Sequence, residues 1–251
     1  MKRLIPTVFV LIFVIFLNFG CTENPGPCED KVCENGGECF FGACECAPGY
    51  RGLNCENYDP NQVQALLDAG KSIQELLDSG VEKESFYGVI YDEGYIFLLN
   101  DDGTGMVAAL EDQSINIEWG CRNLDISTLE NITECFNDCF QPESGEFLES
   151  TRVGDGFDNT NKIIAECNEP SIAARIARNL GEEWFLPSRG EMNLIYQNIF
   201  TKGVGNFIET SYWTSTENQN FSSWRVLFFN YGQNKLEFKD ERAAVRAAKT
   251  F

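Results

Sequence analysis

The sequence predicts an α+β protein built from several parts. Three observations support this: a block of six cysteines near the N-terminus, two short helical repeats after it, and a long C-terminal region where β-rich runs and amphipathic helical patterns both occur. The 251 residues, 43% of them hydrophobic, allow one sizeable core with smaller appendages. We therefore expect a disulfide-rich module, a short helical stalk and one larger α+β domain.

The composition disfavours several classes of function. Lys and Arg total 19 against 39 Asp and Glu, which gives a formal net charge of −20, and the chain has no histidine. A negative field repels phosphate and sulfate polymers, so we expect neither nucleic acid nor sulfated glycans as partners. Because the commonest general base and zinc ligand is missing, we expect no enzyme, no cofactor and no metal site.

Residues 1–20 have the pattern of an export signal, in which a basic head precedes an apolar run from Leu4 to Phe19. Gly20-Cys21 resembles the end of a bacterial lipoprotein signal, which implies that Cys21 is lipidated and that outer-membrane lipid holds the chain. We therefore expect a lipid-anchored protein at the cell outer membrane or cell surface, with residues 21–27 as a tether. The alternatives are an uncleaved anchor or an ordinary secreted protein.

The cysteine count agrees with that location. There are 11 cysteines, and an odd number in an exported chain needs an explanation. Lipidation of Cys21 leaves the others free to pair. Disulfide pairing is typical of exported proteins.

Six cysteines between Cys28 and Cys55 follow the spacing C-x4-C-x5-C-x4-C-x-C-x8-C, with Gly36-Gly37 in the second gap. This pattern resembles an EGF-like module at residues 28–55. The preceding residues Asn24–Pro27 lack the acidic groups of calcium-binding modules, so we interpret it as a rigid spacer, with partner recognition as the alternative. The resemblance implies disulfides Cys28–Cys39, Cys33–Cys44 and Cys46–Cys55.

A short internal repeat occupies much of residues 56–85. Gln64–Gly70 recurs ten residues later as Gln74–Gly80. Each copy reads as a helical turn or two that ends at a glycine. We expect a semi-rigid helical linker whose leucines pack on a neighbouring domain.

The last domain is expected at residues 86–251 and begins with a β-hairpin. Phe86–Tyr91 and Tyr95–Leu99 are rich in aromatic and β-branched residues, Asn100–Gly105 is typical turn sequence, and Met106–Leu110 is apolar again.

Two further segments give weaker signals. Residues 123–150 contain Cys135 and Cys139 but little else, and they are interpreted as an insertion. Residues 154–160 are rich in Gly, Asp and Asn, which predicts a solvated loop; calcium binding by its two aspartates is the alternative.

Two helices are clearly indicated. Ser171–Leu180 places Ile172, Ile176 and Leu180 four residues apart on one face, and Gly181 ends the pattern. The second helix starts at Ser188-Arg189-Gly190-Glu191, a capping box that makes Ser188 a helix cap rather than a nucleophile. Its expected apolar face consists of Met192, Ile195, Tyr196 and Ile199.

The larger domain carries a series of short motifs in a fixed order: Gly105–Ala109, Asp112–Ser114, Trp119–Cys121, Ala173–Arg175, Trp184–Ser188, Glu191–Leu194, Tyr212–Glu217 and Val245-Arg246. This order resembles the C-terminal domain family of the Legionella collagen-like protein and the Fibrobacter succinogenes major paralogous domain. The resemblance implies a C-type-lectin-like fold, a role in display and adhesion, a Cys121–Cys167 disulfide, and local pairing of Cys135 with Cys139.

A candidate binding surface follows from strand alternation after Tyr212. Trp224, Val226 and Phe228 match inward apolar positions of the family. Aromatic and Arg anchors among Asn and Ser have the composition of a binding surface. The alternative is that Leu227 and Phe229 lie beneath the insertion or the linker. The expected outward residues are Arg225, Leu227, Phe229, Tyr231, Asn218, Asn220 and Asn230.

The sequence therefore predicts a surface protein that binds an extracellular protein or glycan without catalysis. A structural cell-envelope protein with no soluble ligand is the alternative. Substituting Arg225 and Phe229 together is expected to remove binding and leave the melting temperature unchanged, whereas a large loss of stability would identify them as core residues.

Overall fold

A computed structural model describes residue 28, residues 31–126 and residues 153–251, except for the side chain of Gln219. The signal, the lipidation site at Cys21, the tether and the Cys135–Cys139 pair lie outside these residues, as does most of the insertion. The described chain falls into two compact units. The smaller holds residues 28, 31–47 and 51–56, and the larger holds 48–50, 57–126 and 153–251.

The strands and helices have the following bounds. The strands are β1 Glu38–Phe40, β2 Ala43–Glu45, β3 Tyr50–Arg51, β4 Asn57–Tyr58, β5 Ile90–Tyr91, β6 Gly94–Leu99, β7 Gly105–Ala109, β8 Ser114–Glu118, β9 Ser211–Gln219, β10 Ser222–Leu227, β11 Gln233–Phe238, β12 Arg242–Val245 and β13 Ala248–Thr250. The α-helices are α1 Val63–Asp68, α2 Ile73–Asp78, α3 Gly156–Glu166, α4 Ala173–Arg178 and α5 Arg189–Asn198. This mixture is α+β, as predicted.

The smaller unit is an antiparallel hairpin of β1 and β2 braced by three disulfides. Four large apolar side chains of this unit, Val32, Phe40, Phe41 and Leu53, are exposed, so disulfides take the place of an apolar core. The pairs are Cys28–Cys39, Cys33–Cys44 and Cys46–Cys55, the same pairs that the EGF-like resemblance implies.

Two sheets form the larger unit. One has five strands in the order β11-β10-β9-β12-β8, and its neighbours are antiparallel except for the parallel pair β9 and β12. The other has four antiparallel strands in the order β13-β7-β6-β5, and it contains the predicted hairpin of β6 and β7.

Both faces of the central strands are buried. In β7, Val107 belongs to one core cluster and Ala108 to a second; in β9, Trp213 belongs to the first and Tyr212 to the second. A strand covered on both sides carries no outward polar stripe. This limits what alternation alone can predict about β9 and β10.

The leucines of the repeat helices α1 and α2 pack on a neighbouring core, as expected, and the helices belong to the larger unit. Leu66 and Leu76, the equivalent residues of the two copies, are fully buried in the same core cluster as Phe86. The unit boundary near residue 57 therefore lies well before the expected boundary at 86, because these leucines pack into the core of the larger unit. The glycines do end the helices as predicted: Gly70 and Gly80 have φ of 87° and 89°.

The prediction of a solvated loop at residues 154–160 was wrong, because helix α3 begins within this segment at Gly156. Its glycine-rich start is stabilised from outside the helix, since the Glu191 carboxylate accepts hydrogen bonds from the N–H groups of Gly154 (2.8 Å) and Gly156 (3.2 Å). The N–H groups at the start of a helix have no carbonyl partner within the helix itself. A distant carboxylate thus replaces the missing local cap.

The two predicted helices are present with shorter bounds. In α4 the expected apolar face holds only in part: Ile172 is buried, but Leu180 lies beyond the helix and is 48% exposed. The capping box of α5 is confirmed, with Ser188 Oγ accepting from Glu191 N–H and Glu191 Oε2 accepting from Ser188 N–H.

Two long-range features complete the larger unit. Cys121 and Cys167 form a disulfide, the pairing implied by the family resemblance. The start of the expected insertion packs inward, since Ile126 is fully buried. Among the described helices, none is both long and apolar enough to cross a membrane.

Candidate functional site

The predicted binding residues divide into buried and exposed groups. Trp224, Val226 and Phe228 are inward-facing and buried, as expected. Leu227 and Asn218 were predicted outward, but they are only 8% and 7% exposed. Leu227 ends β10, a strand whose residues on both faces are buried apart from the half-buried Arg225. The amide of Asn218, near the end of β9, donates to Ser222 Oγ (3.4 Å) at the start of β10.

Arg225 is not a free anchor either. Its guanidinium donates to the Glu237 carboxylate (2.7 Å), which Lys235 also contacts (2.7 Å), and the Arg225 side chain is 15% exposed. The guanidinium also lies 5.9 Å from the ring centre of Trp213. These contacts give Arg225 a structural role between β10 and β11.

Phe229 and Tyr231 are exposed, at 59% and 88%. They lie on a turn after β10, in which Phe228–Asn230 form a 3-10 turn and Tyr231 has a left-handed backbone with φ of 53°. We call residues 228–232 the aromatic turn. Asn220 is exposed in the separate β9–β10 turn, so the structure does not place all predicted residues in one strand face.

A cluster of rings fixes the base of the aromatic turn. The ring of Phe228 is buried and lies 4.4 to 5.4 Å, centre to centre, from the rings of Tyr212, Phe200, Tyr196 and Phe207. Such separations are typical of favourable aromatic pairs. The inward ring therefore holds the two outward rings in place through the backbone they share.

Hydrogen bonds hold the C-terminal end of the aromatic turn. Gly232 N–H donates to the Leu227 carbonyl (3.0 Å), and the Asn230 amide donates to Gln233 Oε1 (2.7 Å). A Cβ at Gly232 would come within 2.5 Å of the Tyr196 ring, so only glycine allows this approach. The turn has a defined backbone and no room for a bulkier residue at its base.

This arrangement suits recognition. Exposed rings offer large apolar contact area at low entropic cost, and Asn230 and Gln233 supply neighbouring amide groups. Burial raises the pKa of Tyr196, with a further contribution from Tyr231 close by. Tyr196 therefore stays neutral around pH 7.

Glu191 is a buried carboxyl that the fold uses structurally. It accepts hydrogen bonds from the N–H groups of Ser188 (2.7 Å), Gly154 and Gly156. Burial raises the pKa of Glu191 to about 7, against the opposing effect of these donors. Because Ser188 and Glu191 cap helices, their motif belongs to the scaffold.

A second buried group, which was not predicted from sequence, is the ion pair of Glu217 with Lys239. Both side chains are fully buried. Glu217 Oε2 also accepts from Ile126 N–H (3.0 Å), and Lys239 Nζ donates to the Leu124 carbonyl (2.7 Å). The pair thereby fixes the first residues of the expected insertion, and no local sequence signal identifies it.

A third missed contact involves Asp112 and Arg246, which occur in two of the family-like motifs. The Arg246 guanidinium donates to Asp112 Oδ1 (2.7 Å), and Tyr212 donates to Asp112 Oδ2 (2.9 Å). These motif residues tie strands together across the unit, so their role is structural.

Two places in the described chain bring possible metal ligands together in space or in sequence. Within the described chain, Cys121, Cys167 and Glu169 lie close enough to share an ion, but the two sulfurs form a disulfide and Glu169 accepts from Cys121 N–H (3.0 Å). Calcium binding by residues 154–160 would need a loop, but most of that segment forms helix α3. Neither place offers a set of free ligands.

Comparison with known proteins gives limited matches. No protein-family model matches the chain. In a crystal structure of a fimbrial protein from Bacteroides ovatus ATCC 8483, a match covers 59% of this chain and 36% of that chain, with 15% identity and a TM-score of 0.40. The chain thus spans about a third of that protein's length.

A curated protein, U18-myrmicitoxin-Mri1a of Manica rubida, is 40% identical over an alignment of 63 residues; the match covers 20% of this chain and 71% of the toxin. Over that stretch, and over no more of its length, the chain belongs to the same sequence family as the toxin.

Proposed function

We propose that this chain is a bacterial cell-surface recognition protein whose larger unit binds an extracellular protein or glycan without catalysing a reaction. In this proposal, lipidation of Cys21 anchors the exported chain to outer-membrane lipid. The smaller unit is proposed to be an EGF-like spacer and the larger one a C-type-lectin-like domain.

The aromatic turn is the observation that carries the proposal. Single exposed aromatic side chains are common on protein surfaces. Here, Phe229 and Tyr231 are two residues apart and 59% and 88% exposed, on a backbone held by the buried ring of Phe228. A rigid backbone lowers the entropy lost on binding, and aromatic anchors supply much of the affinity of protein interfaces.

The neighbouring polar groups favour binding over chemistry. The Ser188 hydroxyl and the Glu191 carboxylate cap helices, and the buried Glu217–Lys239 pair holds main-chain groups. The chain has no histidine to activate a hydroxyl nucleophile. Because these polar groups are used in structural contacts, they support a non-catalytic role.

The proposal is tested on arrays of glycans and of extracellular surface proteins, probed with the purified chain. The double variant Phe229→Ala/Tyr231→Ala is expected to lose the signal that the wild type gives. Ile115→Ala is the matched control, because Ile115 is 66% exposed on β8, at the opposite edge of the same sheet. No reproducible wild-type binder would instead favour a structural envelope protein.

A further inference from the structure

A cavity away from the aromatic turn has the features of a ligand site. It encloses about 630 Å³ between the residues that follow β7 and the end of helix α4. That volume lies within the range of small-molecule sites. Its lining includes Glu93, Leu110, Glu111, Asp112, Leu180 and Trp184.

One wall of the cavity is apolar. Leu110 and Leu180 are 37% and 48% exposed although each lies beside the core, and Ile176 is half-buried four residues before Leu180. Trp184 also lines the cavity and is buried. These side chains together offer a surface suited to an aliphatic chain.

The polar wall is acidic, and its carboxylates differ in whether they already form hydrogen bonds or ion pairs within the protein. Asp112 is bonded to Arg246 and Tyr212, and Glu93 contacts Lys249 (3.3 Å). Within the described chain, the side chains of Glu111 and Asn179 have no hydrogen-bond or ion-pair partner. Glu111 is also exposed, so its carboxylate is available to a ligand.

Two positive charges beside the cavity, those of Arg246 and Lys249, are largely buried. Arg246 is fully buried and the side chain of Lys249 is 6% exposed, with its ammonium 5.0 Å from the ring centre of Trp184. An entering molecule therefore meets carboxylates first. Anions are disfavoured and a cation with an apolar body is favoured.

We infer that this cavity binds a primary ammonium at the end of an aliphatic chain, with the ammonium at Glu111 and the chain against Leu110 and Leu180. Such a group occurs as a lysine side chain in a polypeptide and as a free alkylamine. The site is separate from the aromatic turn and does not depend on the function proposed for it.

The test is an NMR titration of the full chain that follows the Trp184 indole signal. The probes are N-acetyl-lysine N-methylamide, n-pentylamine and the neutral N-acetyl-norleucine N-methylamide. We expect both amines to bind and the neutral probe to bind about fivefold more weakly, the value of one accessible ion pair. Tighter binding of the capped lysine than of pentylamine would assign the site to polypeptide, and the reverse order to a small amine.

Variants make the test specific. Glu111→Gln should weaken the amines about fivefold and leave the neutral probe unchanged. Leu180→Ser should weaken all three probes. Glu241→Gln is the matched control, because it neutralises an exposed carboxylate that does not line the cavity. Equal binding of the neutral probe, unchanged amine binding by Glu111→Gln, or no shift of Trp184 with any probe would overturn the inference.

Discussion

Glu217 and Lys239 form an ion pair in which both side chains are fully buried. Glu217 belongs to β9 and Lys239 follows β11, so the contact joins two strands that are not neighbours in the five-stranded sheet. The same two side chains also bond the main chain at Leu124 and Ile126. This one pair therefore stabilises both the sheet and the start of residues 123–150.

Lys239→Met should destabilise the fold strongly. It leaves the buried Glu217 carboxylate without its cation, and removing one partner of a buried pair costs about 3–5 kcal/mol. The double variant Glu217→Gln/Lys239→Met should recover part of that loss, because no uncompensated charge remains. Urea unfolding measures both values. A loss below about 1 kcal/mol for Lys239→Met would contradict the assignment.

Glu191 should make stability depend on pH. Burial raises its pKa from 4.5 to about 7 in the folded state, so the folded protein holds more protons between these values. The free energy of unfolding should therefore fall as pH rises from about 5 to 7, by up to about 3 kcal/mol, and level off above. Glu191→Gln removes this titration. Equal pH dependence in wild type and variant would exclude the carboxyl as its source.

Arg225 and Phe229 should behave differently, contrary to the shared effect expected from sequence. Arg225→Ala removes the partly buried contact with Glu237 and should lower the free energy of unfolding by about 1–2 kcal/mol. Phe229→Ala changes an exposed ring and should stay within about 0.5 kcal/mol of wild type. Chemical denaturation separates the two. A larger loss from Phe229→Ala than from Arg225→Ala would show that the ring belongs to the core.

The hairpin of the smaller unit carries an unfavourable residue at its tip. Phe41 and Gly42 form the two-residue turn between β1 and β2, with φ of 49° and 81°. Asn adopts such a left-handed backbone more readily than Phe. Phe41→Asn should therefore slow amide hydrogen exchange in the hairpin, whereas Phe40→Asn, at a strand position, should not. Faster exchange in Phe41→Asn would show that the ring stabilises the turn.

The features that could be predicted from sequence are those whose interacting residues lie close together along the chain. The Ser188–Glu191 capping box spans one helical turn, and the β6–β7 hairpin surrounds a marked turn sequence. Gly70 and Gly80 end their helices for the same local reason. Such patterns report backbone conformation directly.

The features that were missed depend on distant residues. Alternation suggested an outward Leu227, but residues on both faces of β10 are buried. Helix α3 begins in a glycine-rich segment because Glu191, 35 residues from Gly156, binds its first donors. The exposure of Phe229 and Tyr231 was predicted, but it arises from a turn rather than from a strand face.

The most direct measurement is the Kd of one array-identified ligand for the wild type and for Phe229→Ala/Tyr231→Ala, with the Tm of each. We expect a Kd at least about tenfold higher in the double variant and an unchanged Tm, because each ring is an exposed anchor on a rigid backbone. A Kd equal to that of the wild type in a folded double variant would contradict the central claim.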